Sequence, residues 1–384
     1  MSNKILAFVV MILALVPECS MAQKPNAPVW TNTFADSTRL STNRTSSRPE
    51  TNRSAGIAIK DETHIVLFSL LSTGSLAIRR ADDSSAGAWC FLVQVLNMET
   101  GSVESSSTLP AGSYSSQMAF TSGGFVISDP GRLTFYSRAF EKLPSKFEYV
   151  PLSENAARRL PTLVRIWAGR VYATPNGQQF VLIDSDGHHS RIYIFDGKSF
   201  KNTATEELTE IDPGSVSVGD AGFFYTDMNS HSHVYFFNFE GGAEEWKRPE
   251  SSNKQVAAHE PVYISSGEWL DVMHTITLVN SKESNILFQE RKTEGVLGPA
   301  AIAPNKRMAA VFKDDVKTGG IFDRDLHRTG VAVLVVFLDR LGTACEIPIA
   351  PMPLTQFAMI FVGNSRLVVL HDNTVSAFQV PCVE

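Results

Sequence analysis

The sequence predicts an all-β fold built as a closed ring of four-stranded units, and three observations predict it. Short apolar or alternating runs, bounded by turns rich in Asp, Gly, Asn and Pro, fill the chain from residue 56 onward, which is the pattern of strands and hairpins. The runs also recur. Those read as the third strand of each unit begin near Phe91, Arg132, Arg191, His233, Asn285, Val331 and Thr374, with a mean spacing of about 47 residues that falls in the range of propeller blades. Helical periodicity is nearly absent. Together these features predict one seven-bladed β-propeller of four-stranded blades over 55–384, closed by the N- and C-terminal strands.

The chain opens with Lys4, an apolar run over 5–16, and Ser20-Met21-Ala22, which reads as a signal peptide of residues 1–22. The run is about 12 residues long, too short for a bilayer core of about 30 Å, so no stable membrane insertion is expected once the leader is cleaved. Cys19 invites a lipoprotein reading, but Pro17 and Glu18 stand where small residues are needed. An exported protein, periplasmic or extracellular, is expected. Residues 23–54, rich in Ser, Thr, Asn and Pro, lack the apolar content to offset chain entropy and read as a flexible linker. The aromatic stretch 28–34 is the exception.

The first unit runs from GIAIKDETHIVLFSL (56–70) through a long polar connection (71–88) to CFLVQVLN (90–97) and SVESSSTL. The second holds QMAF, GGFVIS, RLTFYS and KFEYVPL, and a short helical turn is expected over 153–161 before the third. The third centres on QQFVLIDSDGHHSRIYIFDGKSF (178–200), and the fourth has SVSVG, GFFYTD, HVYFFNF and AEEWKRP. The fifth reads as PVYIS, DVMHTITLVN and NILFQER. The sixth has AAIAPNKRMAAVF, a second long polar connection (313–330), VAVLVVFLD and ACEIPI. The last, FAMIFVGNSRLVVLHDNTVSAFQV, is one strand short, and a ring left so would expose a strand edge. The missing outer strand is expected from residues 28–34.

The turns Pro175-Asn176-Gly177, Pro304-Asn305-Lys306 and Gly363-Asn364-Ser365, together with VQVLNMETGSV (93–103), resemble the repeats of WD40/YVTN-like seven-bladed propellers. The leader, linker and first repeat are similar to those of exported bacterial propeller proteins. No Trp-Asp dipeptide ends a blade, so the resemblance implies architecture and no particular activity.

The net charge of -6 and the lack of a basic stripe argue against nucleic acid. The serine elbow is absent, since GSVSVG (214–219) puts Val216 at the nucleophile position, and His259-Glu260 lacks the second histidine of a zinc protease. Of the three cysteines beyond the leader, Cys345 and Cys382 are the better disulfide pair, and Cys90 reads as a buried thiol. Trp89, Trp167, Trp246 and Trp269 are expected between blades.

In such a ring the connection between second and third strands opens on the same face as the connection between blades. Asp184, Asp186, His188 and His189 of the third unit and Asp227, His231 and His233 of the fourth fall there, and imidazoles with carboxylates suit a divalent metal, zinc or calcium. Turn chemistry explains the same residues without a metal. The long connections on that face carry Arg79, Arg80, Phe322, Asp323, Asp325 and His327, which read as a ligand-binding face for protein, peptide or glycan. A monomeric, non-catalytic binding scaffold is therefore expected, with a metal-dependent hydrolase or lactonase-like propeller as the alternative. Gln117, Glu260 and Gln356 are the polar positions near first strands that such an enzyme would turn to the axis.

Overall fold

The computed structural model describes residues 27–33, 55–72, 89–113, 115–152, 169–186, 188–209, 211–227, 233–247, 261–272, 275–280, 284–289, 296–318, 326–339, 343–350, 357–371 and 374–380. These residues form strands and turns, with no helix. The first strand, β1 (Trp30–Thr33), stands ahead of the blades. Blade 1 is β2 (Ala55–Ile59), β3 (His64–Ser72), β4 (Trp89–Asn97) and β5 (Val103–Ala111); blade 2 is β6 (Gln117–Thr121), β7 (Gly124–Asp129), β8 (Arg132–Ser137) and β9 (Lys142–Glu148). Blade 3 is β10 (Arg170–Ala173), β11 (Gln179–Ser185), β12 (His189–Asp196) and β13 (Asn202–Thr209); blade 4 is β14 (Ser217–Val218), β15 (Gly222–Thr226), β16 (His233–Asn238) and β17 (Ala243–Lys247). Blade 5 is β18 (Val262–Ser265), β19 (Glu268–Val272), β20 (Thr275–Asn280) and β21 (Ser284–Gln289); blade 6 is β22 (Val296–Ile302), β23 (Met308–Thr318), β24 (Leu326–Phe337) and β25 (Thr343–Pro348). Blade 7 is β26 (Phe357–Val362), β27 (Arg366–His371) and β28 (Thr374–Gln379), with β1 as its outer strand.

Seven four-stranded sheets thus form, each with antiparallel neighbours. First strands touch first strands around the ring: β2 with β6, β6 with β10, β14 with β18, β18 with β22, β22 with β26, and β26 with β2. Between blades 3 and 4, Arg170 Nη1 and the Tyr172 hydroxyl both donate to the Pro213 carbonyl, at 3.0 and 2.5 Å. The ring is closed.

Burial peaks at the second strand of a blade and falls off at the outer one. The second strands are covered on both faces by neighbouring blades, so GFVISD of β7 and GFFYT of β15 are buried throughout and read as continuous runs. The outer strands β9 and β13 are mostly exposed, and their sequences, KLPSKFE and NTATEELT, are correspondingly polar. Seven apolar clusters fill the seven junctions between blades. At the junction of blades 2 and 3, Phe180 stacks on Phe195 at 4.6 Å and Phe135 on Phe200 at 4.8 Å. Trp269, buried, packs on Trp246 at 4.9 Å between blades 4 and 5. Each such side chain contributes roughly 1.5–3 kcal/mol when fully buried.

The aromatic stretch of the N-terminal segment supplies the strand that blade 7 lacks. Trp30 pairs with Ala377 and Thr33 with Thr374, in register with β28. Trp30 Nε1 donates to the Met98 carbonyl at 3.0 Å, and Asn32 Nδ2 to the Gly101 carbonyl at 2.9 Å, so β1 also grips the turn between β4 and β5. Gly101 has φ of 69°, and a Cβ there would lie 2.3 Å from the Trp30 ring. Arg366 fastens the same turn from β27, with a two-pronged contact to Glu99 at 2.9 and 3.3 Å.

Two expectations are corrected. Asn285 does not open a third strand: it lies in β21, the outer strand of blade 5, and the third strand is β20, starting at Thr275. DVMHTITLVN holds parts of two strands, β19 and β20, divided only at residues 273 and 274, where Met and His give no turn signal. The span 313–330 is mostly strand as well, since β23 runs to Thr318 and β24 starts at Leu326. The proposed turn over 153–161 lies outside the described residues.

Cys90 and Cys345 carry free thiols, and burial pushes the Cys345 thiol up to about 11, away from thiolate chemistry. Cys382 lies outside the described residues.

Truncating Trp30→Ala is expected to lower the unfolding free energy by about 2 kcal/mol, as loss of a half-buried aromatic. Deleting residues 28–33 should lower Tm further and produce aggregation through the bared β28 edge. Thermal denaturation with light scattering checks both, and an unchanged Tm in the deletion contradicts the closure.

Candidate functional site

Because neighbouring strands alternate in direction, each blade sends its second-to-third connection to the same face as the crossover to the next blade. Most of these hairpins are tight. In blade 2 only Pro130 and Gly131 separate Asp129 from Arg132, and in blade 7 only residues 372 and 373 separate β27 from β28. Blades 1 and 6 differ. Their second and third strands have 9 and 9 residues in blade 1, and 11 and 12 in blade 6, against 6 and 6 in blade 7. The two long hairpins stand on either side of blade 7, since the ring runs from β22 to β26 to β2.

The blade 6 hairpin outgrows its own sheet. Its inner neighbour β22 pairs no further than Asp314, and its outer neighbour β25 ends opposite Ala332. Beyond that point Asp315–Thr318 and Leu326–Gly330 pair only with each other, closing at Thr318 and Leu326, with a bulge between Asp315 and Val316. About five residues of ribbon rise free, a reach of roughly 15 Å. Among the described residues no strand covers either edge, so backbone N–H and C=O groups are offered on both sides. In blade 1 the excess is smaller: β3 passes its inner partner at Ser69 and continues to Ser72, while β5 keeps pace to Ala111.

The residues expected to bind ligand divide between these two hairpins. His327 lies in the free ribbon, its backbone opposite Lys317. Phe322, Asp323 and Asp325 fall in the 319–325 connection at the ribbon tip, and Arg79 and Arg80 in the 73–88 connection of blade 1; all five lie outside the described residues. What the sequence did not reveal is that the two hairpins flank one blade. Sixty per cent of the chain separates them in sequence order, and only ring closure makes them neighbours but one.

The metal candidates have separate surroundings. Asp184 is fully buried, and its Oδ2 accepts the Leu152 N–H at 2.8 Å, tethering the crossover from blade 2. Asp129, also buried, does the same work one blade earlier, where its Oδ1 accepts the Gly112 N–H at 2.8 Å. Asp186 instead serves its own turn, its Oδ1 accepting the N–H groups of His188 and His189 at 2.9 and 2.8 Å while both imidazoles are exposed. Asp227 is buried in a bridge to Ile211, and His233 Nε2 lies 3.6 Å from Glu245 on the outer strand. His231 lies outside the described residues. Among the described residues no three His, Cys, Asp or Glu side chains gather as metal ligands. Gln117 is engaged between blades, its Oε1 accepting the Val171 N–H at 3.3 Å, and Glu260 and Gln356 lie outside the described residues.

Burial pushes the Asp184 carboxyl up to about 6, against the opposing pull of the Leu152 N–H and the Arg191 charge. Its Oδ1 has no hydrogen-bond partner. Burial, reinforced by the Asp184 charge, likewise pushes the nearby Tyr149 phenol up.

No family model and no curated sequence matches the chain. Solved propellers match its fold. Hsv2 of Kluyvelomyces marxianus superposes with a TM-score of 0.52 at 8% identity, over 76% of this chain and 88% of that one. Virginiamycin B lyase from Staphylococcus aureus gives 0.48 at 11% identity, over 86% and 96%, and BamB from Moraxella catarrhalis 0.45 at 11%, over 85% and 84%. At such identities the likeness shows the fold alone.

The Asp184 carboxyl titrates with a sign that can be tested. The folded protein holds this proton more tightly than a free Asp at 3.8, so ionisation opposes folding, and its contribution is lost as pH rises from about 4 to 6. Asp184→Asn should remove that slope and raise the unfolding free energy at pH 7 by about 2 kcal/mol, with little change at pH 4. Urea unfolding at both pH values checks it, and equal differences from wild type at the two would contradict the assignment.

Proposed function

We propose that the chain is an exported, non-catalytic scaffold that binds an extended peptide or protein segment on the face bearing the two long hairpins. The free ribbon of blade 6 carries this reading. An extended segment can add to an uncovered strand edge, taking affinity from main-chain hydrogen bonds and selectivity from alternate side chains. The bulge at Asp315/Val316 and the charges of Asp315, Lys317 and Arg328 limit indiscriminate edge pairing, the usual hazard of such a ribbon. The blade 1 connection, with Arg79 and Arg80, would supply the opposite wall over blade 7, where paired guanidinium donors suit a carboxylate on the ligand.

Export rests on the leader at residues 1–22, and the place of action is then the periplasm or the exterior. A glycan would use the same face through its loops, but the uncovered backbone edge favours a peptide.

A phage-displayed peptide library selected on residues 23–384 supplies probes for this surface. Replacing 315–329 by a short glycine-serine linker, which leaves the Asp314 and Val331 pair to close the hairpin, should weaken the selected peptides at least about tenfold. Val316→Pro, which removes one edge N–H, should weaken them less with Tm unchanged. Peptides that bind the shortened variant as tightly as wild type would place the site elsewhere.

A further inference from the structure

On the opposite face, where first-to-second and third-to-fourth turns meet, the inner strands of blades 1, 2 and 3 surround a cavity of about 440 Å³. That volume lies within the range of small-molecule sites. The apolar part of its wall is Ile57 and Ile59 from blade 1, Met118 and Phe120 from blade 2, and Ile360 from blade 7. Gly56 opens the space behind them. A Cβ there would sit 2.3 Å from the tip of the Phe68 ring, so glycine lets that ring reach the inner strand.

The polar part of the wall has one sign of charge. Lys60 and Arg138 line the cavity and no Asp or Glu does, in a chain whose net charge is -6. Near Lys60, His64 bridges Asp61 and Glu104 with contacts of 2.7 Å each. Arg138 is held in place without being neutralised. Its guanidinium lies over the Phe120 ring, 5.4 Å from the centroid, and donates to the carbonyls of Lys60 and Ser122. These contacts use two of its five N–H donors. Among the described residues no carboxylate pairs with it. Beside it the Ser122 hydroxyl is buried and has no hydrogen-bond partner, although a buried polar atom ordinarily finds one.

We propose that this cavity binds a small apolar monocarboxylate, whose hydrocarbon body fills the Ile57, Met118, Phe120 and Ile360 walls while its carboxylate accepts from Arg138 and the Ser122 hydroxyl. The chemistry of the wall selects for both halves of such a ligand. An apolar neutral molecule leaves the guanidinium and the hydroxyl unsatisfied, and an inorganic anion leaves the apolar walls to water. The site is independent of the peptide surface: it lies on the other face and uses none of its residues.

Isothermal titration of residues 23–384 tests it with octanoate and phenylacetate, with octanamide and phenylacetamide as neutral matches, and with inorganic phosphate as charge alone. N-acetyl-Gly-Phe reports whether the terminus of a peptide serves as well as a free acid. The two acids should bind at least about tenfold more tightly than their amides, and phosphate should bind weakest. Arg138→Met should weaken octanoate at least about tenfold and Ser122→Ala about threefold. Arg138 also joins blades 1 and 2, so a second variant guards against misfolding. Ile59→Asp sets a negative charge at the cavity rim, where the side chain is 39% exposed, and should exclude octanoate while sparing Tm. Equal affinity for octanoate and octanamide, unchanged octanoate binding in Ile59→Asp, or no saturable binding of either acid would overturn the proposal.

Discussion

Everything in this molecule depends on four residues pairing with the far end of the chain. Along β1, each residue from Trp30 to Thr33 pairs with one from Ala377 back to Thr374, and Thr31 and Ser376 add a hydroxyl contact at 3.1 Å. A propeller has no core of its own within a blade. Its apolar surface is buried only at junctions, and each junction needs both of its blades. The clasp between blades 7 and 1 is therefore a condition on all seven junctions rather than a local ornament. Trp30 packs into that junction beside Ile65, Leu96, Val368 and Val375, and its indole N–H is spent on blade 1.

The two faces solve different problems with the same antiparallel connectivity. On the cavity side, backbone turns lock neighbours together: Ser122 N–H donates to the Gly177 carbonyl and Gly123 N–H to the Gly197 carbonyl, both at 2.9 Å. On the hairpin side, the crossovers between blades are held by buried acids at the ends of second strands, Asp129 and Asp184. A rigid ring anchored this way can carry a long ribbon at blade 6 without relying on it for stability. That separation lets the hairpins vary while the scaffold stays fixed.

Much of the architecture was legible because its physical causes are local. Second strands buried on both faces give runs such as FVLI, outer strands at the solvent give NTATEELT, and the contrast marks each blade. Even the closing strand was readable from a count, since a ring one strand short implies a donor and only residues 28–34 were aromatic enough. Blade 5 was misphased because the β19 to β20 connection contains no Gly, Pro, Asn or Asp. The ribbon reads as a loop because its sequence, DVKT and LHRTG, is polar and carries no alternation that marks a strand. Asp184 looked like part of a polar turn; in a strand covered on both faces, parity does not reveal which polar side chain is buried. Arg138 carried no motif at all. Its place over Phe120 comes from a turn of blade 2 meeting the inner strand, a contact that spacing along the chain does not encode.

The most direct test of the closure is a cross-link across its register. In a background whose other cysteines are replaced by alanine, Thr31→Cys with Ser376→Cys places two thiols on opposed residues of β1 and β28. The account predicts an intramolecular disulfide on mild oxidation, seen as a monomer that migrates faster without reductant and melts at a higher temperature. Absence of that bond, or its appearance only as a covalent dimer, would mean that β1 does not close its own ring.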